Sequence, residues 1–268
     1  MFHTIKQRTL EYLTADALEG SVHCFSTRLG GLSEGQLSSL NLGTHRGDKP
    51  ENVRENYRIL GKAVGFAPEE TIFTRQEHTD LLLRVGRADC GTGLDREQTT
   101  VCDGILTDEP GVALVCFAAD CTPVLLFDPV RQAIAAVHAG WRGTAQGIAY
   151  KAVLRMQEEF GCAPEDIRAA IGPCIGRCCF EVGPEVPGAM REALGADAEA
   201  AIEPRGEKAH VDLKLLNRIW LQKAGVQGID VSPGCTMCHP DRFWSHRVTG
   251  GARGSQAAII RLKGGAAQ

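Results

Sequence analysis

The chain has 268 residues, 43% of them hydrophobic and 23% charged, and carries a formal net charge of −4. That length suits one large α/β domain or two small ones, and the slight acidic excess leaves no basic stripe for nucleic acid. No apolar run approaches the roughly 20 residues that span a bilayer, and the opening MFHTIKQRTLEYLTADALEG lacks the apolar core of a signal peptide, so no membrane partner and a cytoplasmic location are expected.

Residues 22–27 (VHCFST) read as a strand running into a loop at 28–48, RLGGLSEGQLSSLNLGTHRGD, too long for a hairpin turn and too polar for core. A helix is expected over 50–64: Pro50 suits its first turn, Val53, Tyr57, Leu60 and Val64 share a face, and Gly65 stops it. Strands follow at 71–78, 81–85, 104–108, 112–118, 124–128 and 132–139, with a polar surface loop over 86–102 and a tight turn at Asp128-Pro129. A second helix is expected over 144–160, then a strand at 167–173 and helices near 184–194 and 213–224, the last capped by Asp212. FWSHR (243–247) and QAAIIRL (256–262) read as closing strands, and 195–208 as a loop or lid. With no repeat and no clear linker, one mixed α/β domain over residues 1–268 fits best.

Three segments place metal-binding residue types where apolar strands turn polar: QEH at 76–78, ADC at 119–121 and VHAGWRG at 137–143. Two imidazoles and a thiolate, His78, His138 and Cys121, are a good zinc ligand set that leaves a fourth position open for water or substrate. Spacings of 43 and 17 residues match no short metal signature, however. A Cys121/His138 nucleophilic dyad, or packing, uses the same residues. His78 discriminates, because a dyad has no need of it. Asp120 is a candidate acid or base, with ligand orientation or turn capping as its alternative.

Eleven cysteines in a chain with no export signal are expected to be reduced, and packing is the default reading for each. PCIGRCC (173–179) and CTMCH (235–239) supply enough sulfur for a structural zinc, but Cys174 and Cys178 are spaced too widely for a zinc knuckle, which favours packing. The same extra residue excludes the zinc nucleobase-deaminase signature. In the 28–48 loop, exposed glycine N–H groups with Asn41, Arg28 and Arg46 suit a phosphate or ribose, and Arg142 beside a helix start is a further anion candidate.

STRLGG with SLNLGTHRGD, then QEH, ADCTPVLLFDP, AAVHAGWRGT, IGPCIGRCCFEVG, CTMCHPDRFWSHR and GSQAAII together resemble the multicopper polyphenol oxidase (laccase-domain) family, whose members are better described as purine nucleoside phosphorylases. The resemblance runs in order from about residue 22 to 260. It implies a layered α/β/β/α sandwich with mixed sheets and a metal site on His78, Cys121 and His138, with zinc favoured over copper. It also implies phosphorolysis of adenosine, inosine, guanosine and methylthioadenosine to base plus ribose 1-phosphate, and deamination of adenosine. Asp120, Cys121 and His138 are then the catalytic candidates, and purine nucleosides and phosphate the partners. The chain departs from the family's usual Gln-Val-His-Gly, having Glu77 and Thr79 around His78. Strand alternation would turn Glu77 away, and losing a glycine at position 79 would narrow the approach to the metal. Rival readings are a Cys121 hydrolase of a small metabolite or peptidoglycan precursor, a copper-dependent oxidase, and a non-catalytic metal-binding partner protein.

Overall fold

The computed structural model describes residues 1–264. In chain order it contains β1 (Phe2–Gln7), β2 (Leu10–Ala15), β3 (Ser21–Ser26), α1 (Pro50–Val64), β4 (Thr71–Phe73), β5 (Leu82–Arg84), β6 (Gly104–Thr107) and β7 (Ala113–Ala118). There follow β8 (Thr122–Asp128), β9 (Ala133–Ala139), α2 (Trp141–Ala145), α3 (Ile148–Phe160), β10 (Arg168–Ile171), β11 (Glu181–Val182) and α4 (Glu185–Leu194). The chain closes with β12 (Ile202–Arg205), β13 (Lys208–Val211), α5 (Leu213–Lys223), β14 (Gly228–Val231), α6 (His246–Thr249) and β15 (Gln256–Leu262).

Two six-stranded mixed sheets stack face to face. One has the order β1-β2-β3-β15-β7-β4 and the other β14-β10-β8-β9-β6-β5. Phe25, Leu114, Cys116 and Ile260 of the first sheet meet Ile105, Leu125, Phe127 and Ile134 of the second in the central core. The outer face of the first sheet is covered by Val53, Tyr57 and Leu60 of α1, and that of the second by Ile148, Ala152, Val153 and Met156 of α3 with Leu221 of α5. The result is the expected four-layer α/β/β/α sandwich. The strands β8 and β9 are buried at every position, which is why they read as continuous apolar runs and not as alternating ones. A small three-stranded sheet, β11-β13-β12, packs with α4 against a satellite core beside the sandwich.

The element α1 has the expected bounds, closed by Gly65 at φ 109° with its N–H on the Gly61 carbonyl. Four expectations need correction. The helix over 144–160 is two, because Gly147 adopts φ 73° and separates α2 from α3. The strand over 71–78 ends at Phe73, and 74–78 is irregular. FWSHR is not a strand: Ser245 caps α6, its hydroxyl accepting from Val248 N–H. The supposed lid over 195–208 is a 3-10 helix (Gly195–Ala201) leading into a β12–β13 hairpin. The β1–β2 hairpin was missed because FHTIKQ is mostly exposed and gives no apolar stripe.

Candidate active site and metal centre

Strand register brings the ligand candidates together. Between β7 and β8 the chain passes from one sheet to the other, and Asp120 and Cys121 occupy that crossing. In the antiparallel β8–β9 pair Thr122 faces Ala139 and Pro123 faces His138, so Cys121 and His138 share one sheet end. On the far side of β9, Gly104 of β6 faces Val137, which places Asp103 beside His138. The irregular segment after β4 then delivers His78, at φ 60°, over the same end.

Cys121 Sγ lies 3.7 Å from His78 Nε2, the two imidazole centroids are 5.1 Å apart, and the ligand atoms of His78, Cys121 and His138 all fall within 4.8 Å of one another. Asp103 is fully buried and organises the group. Its carboxylate receives His138 Nδ1 at 2.7 Å, the backbone N–H groups of residues 77, 78 and 79 at 2.8–3.2 Å, and the Thr79 hydroxyl at 2.8 Å. Holding the Nδ1 proton on Asp103 aims His138 Nε2 at Cys121, the arrangement that orients metal-bound histidines. Burial opposes charge on Cys121, but the neighbouring His138 and His78 rings outweigh it and bring the thiol down to about 6. Burial likewise opposes charge on His138, and the Cys121 thiolate and Asp103 raise it to about 9. Gly140 completes the cradle: a Cβ there would sit 2.6 Å from the His78 ring and 3.2 Å from Cys121 Sγ. The donor set, the oriented histidine and the thiolate fit a zinc-type ion held by three protein ligands.

The triad is at one side of a cleft of about 800 Å³, in the range of small-molecule sites. Phe73, Phe117, Ile175 and Phe180 supply apolar walls, and Arg46, Arg253 and Ser255 also line the cleft, with Arg253 close enough to Asp120 and Cys121 to feel their charge. Arg46 Nε donates to Ser255 Oγ at 3.1 Å. Burial and the adjacent Arg46 push Arg253 down to about 10, and its Nε has no protein partner. Neither arginine forms a salt bridge among the described residues.

Asp120 lines the cleft at φ 86°. Its carboxylate accepts from Thr236 Oγ1 and from Arg247 N–H, both at 2.6 Å, and contacts neither histidine, so ligand orientation falls to Asp103. Three other candidates are not brought to the cleft. Arg28 caps the Ser38 and Pro240 carbonyls and stacks 3.9 Å over Trp244. Asn41 is buried and braces the loop, bonding Gly43, Asp48 and Ser255 N–H. Arg142 is exposed on α2 over Trp141. Glu77 lines the cleft and is not turned away, because 74–78 is not a strand, and Thr79 points to Asp103 and does not narrow the approach to the metal. Asp103 and Arg253 escaped sequence reasoning. The signal for Asp103 was a lone carboxylate entering the buried run GILT, expensive without a partner.

The architecture and the cleft define a layered α/β protein with a His/Cys metal-type site at a sheet crossing. The family model for the multi-copper polyphenol oxidoreductase laccase matches residues 22–263, and the chain belongs to that family. It is 37% identical over 253 residues to a purine nucleoside phosphorylase of Bacteroides thetaiotaomicron, covering 92% of this chain and 93% of that one. It is 38% identical over 251 residues to the purine nucleoside phosphorylase YlmD of Geobacillus stearothermophilus, covering 92% of each. The crystal structure of that YlmD superposes with a TM-score of 0.91 at 36% identity, covering 97% of this chain and 99% of that one. No described helix is long and apolar enough to cross a membrane.

Proposed function

We propose that this protein is a zinc-dependent purine nucleoside phosphorylase that also deaminates adenosine. The observation that carries the reading is one cleft lined by the His78/Cys121/His138 triad, by two arginines that form no salt bridge among the described residues, and by apolar side chains. The names of the relatives support it. His78, Cys121 and His138 would hold the ion, which when bound supplies Lewis acidity and lowers the pKa of a water. Arg46, Arg253 and Ser255 hold phosphate by charge-assisted bonds, and the aromatic walls take the purine. A phosphate oxygen bonds C1′ of the ribose as the bond to the purine nitrogen breaks and its electron pair leaves with the base. Asp120, ionised with both oxygens already accepting bonds, steadies the positive charge that develops on the ribose, and the departing purine anion takes its proton from water. The only groupings of candidate ligands among the described residues are this triad and a four-cysteine cluster, and neither supplies the several histidine clusters of a multicopper oxidase.

Inosine incubated with and without phosphate tests the proposal, with phosphate-dependent hypoxanthine as the expected product. Its absence removes phosphorolysis of that nucleoside. Arg253→Met should raise the phosphate KM about 10–100-fold, the worth of one charged hydrogen bond. Adenosine yielding inosine without phosphate marks the deaminase reaction.

A further inference from the structure

A second set of sulfurs meets outside the cleft. The loop after β10 carries Cys178 and Cys179, the loop after β14 carries Cys235 and Cys238, and the two loops touch through a backbone bridge between Cys174 and Cys235. Cys238 Sγ lies 3.5 Å from Cys178 Sγ and 3.4 Å from Cys179 Sγ, and all four sulfurs fall within 4.8 Å of one another. Four sulfurs placed tetrahedrally at about 2.3 Å from a zinc ion stand about 3.8 Å apart, so the cluster already has the dimensions of such a shell. Gly176 N–H donates to Cys235 Sγ at 3.2 Å, a contact that favours thiolate over thiol. Packing does not account for the group, because Cys178 and Cys238 are exposed. Cys174 stands apart, buried, with its thiol on the Ile175 carbonyl. The sulfurs that meet are therefore those of the Cys178-Cys179 pair and of Cys235 and Cys238, a grouping hidden by the wide spacing between Cys174 and Cys178.

We propose that Cys178, Cys179, Cys235 and Cys238 form a tetrathiolate site for a zinc(II)-type cation that staples the loop after β10 to the loop after β14. Four thiols exchange four protons for one divalent ion, with no change of oxidation state. With four protein ligands the site is closed, hence structural. Its effect reaches the cleft: the first loop carries Ile175 and Phe180, and the second carries Thr236, whose hydroxyl holds Asp120. The staple thus fixes one wall of the cleft, opposite in role to the His/Cys triad.

Metal counting must separate the two sites. The folded protein is purified under reducing conditions, loaded with zinc or cobalt(II), desalted and assayed for metal, as wild type and as His78→Ala/Cys121→Ala. The double variant should retain one equivalent, and its cobalt form should show intense thiolate-to-metal charge transfer. Adding Cys235→Ser and Cys238→Ser should abolish both. Should the serine variants fail to fold, alkylation of wild type decides: the four cysteines should be protected when loaded and modified after chelation, and equal modification in both states overturns the proposal. A folded double variant that binds no metal overturns it, and leaves the cleft metal standing when wild type still binds one equivalent; one equivalent in both proteins upholds it while removing the cleft metal. A disulfide within the cluster, trapped at lysis, overturns it in favour of a redox role.

Discussion

The carboxylate of Asp103 accepts from three consecutive backbone N–H groups and from the His138 ring, so one buried side chain sets both the loop bearing His78 and the face of His138. Asp103→Asn keeps the shape but removes the charge and frees the tautomer, and metal affinity at the triad should fall about 10–100-fold in a competition titration. Gly140 offers a sharper test. Its φ of −66° is open to any residue, so Gly140→Ala meets no backbone strain and should still fold. Its new methyl group would displace the His78 ring, and metal occupancy and nucleoside turnover should fall together. Retained metal with lost turnover would mean that the glycine serves substrate passage instead. Among the described residues, two of the four non-glycine residues at positive φ, His78 and Asp120, are in this cleft, where the chain holds costly backbone to aim side chains.

Among the elements, β3 shows how burial shapes the response to pH. His23 on this strand accepts Ala15 N–H from β2 at 2.9 Å, and burial lowers its pKa from 6.5 to about 4. The folded state therefore holds the neutral ring, while the unfolded chain binds a proton below about 6.5. The stability contributed is present above that pH and is lost as pH falls toward 4, on the order of 2–3 kcal/mol. His23→Gln keeps an acceptor for Ala15 and removes the titration. Its urea midpoint should vary less across that window than that of wild type, and an unchanged acid limb would assign the loss to other groups. The elements also divide by legibility. Pattern and caps defined α1 and α5, the latter by Asp212 accepting from Leu215 N–H at 3.0 Å. Local pattern could not show that Gly147 breaks a helix, since glycine inside an apolar period costs only about 1 kcal/mol and is often absorbed.

In the whole molecule, the core between the two sheets carries the cleft, because the triad hangs on strand ends that this core aligns. Phe127 of β8 is fully buried there. Phe127→Ala should cost about 3–5 kcal/mol in chemical denaturation. Below its lowered unfolding temperature the variant should keep its metal, since Phe127 lies at the opposite end of β8 from Cys121. Lost metal in a still-folded variant would show that the sheet ends shift with the core.

By itself the sequence pattern determined a mixed α/β domain, most strands and the three residue types of the triad, because hydrophobic periodicity and ligand chemistry are written locally, while the four layers came from the family resemblance. Only the tertiary structure decided which residues meet at the cleft. It set Arg28, Asn41 and Arg142 in bracing or surface positions, brought Arg253 to the cleft and placed the buried Asp103 against His138, both from distant segments. It also paired two cysteine runs about 60 residues apart. Sheet register and loop crossings select these partners, and neither can be read from the spacing of residues along the chain.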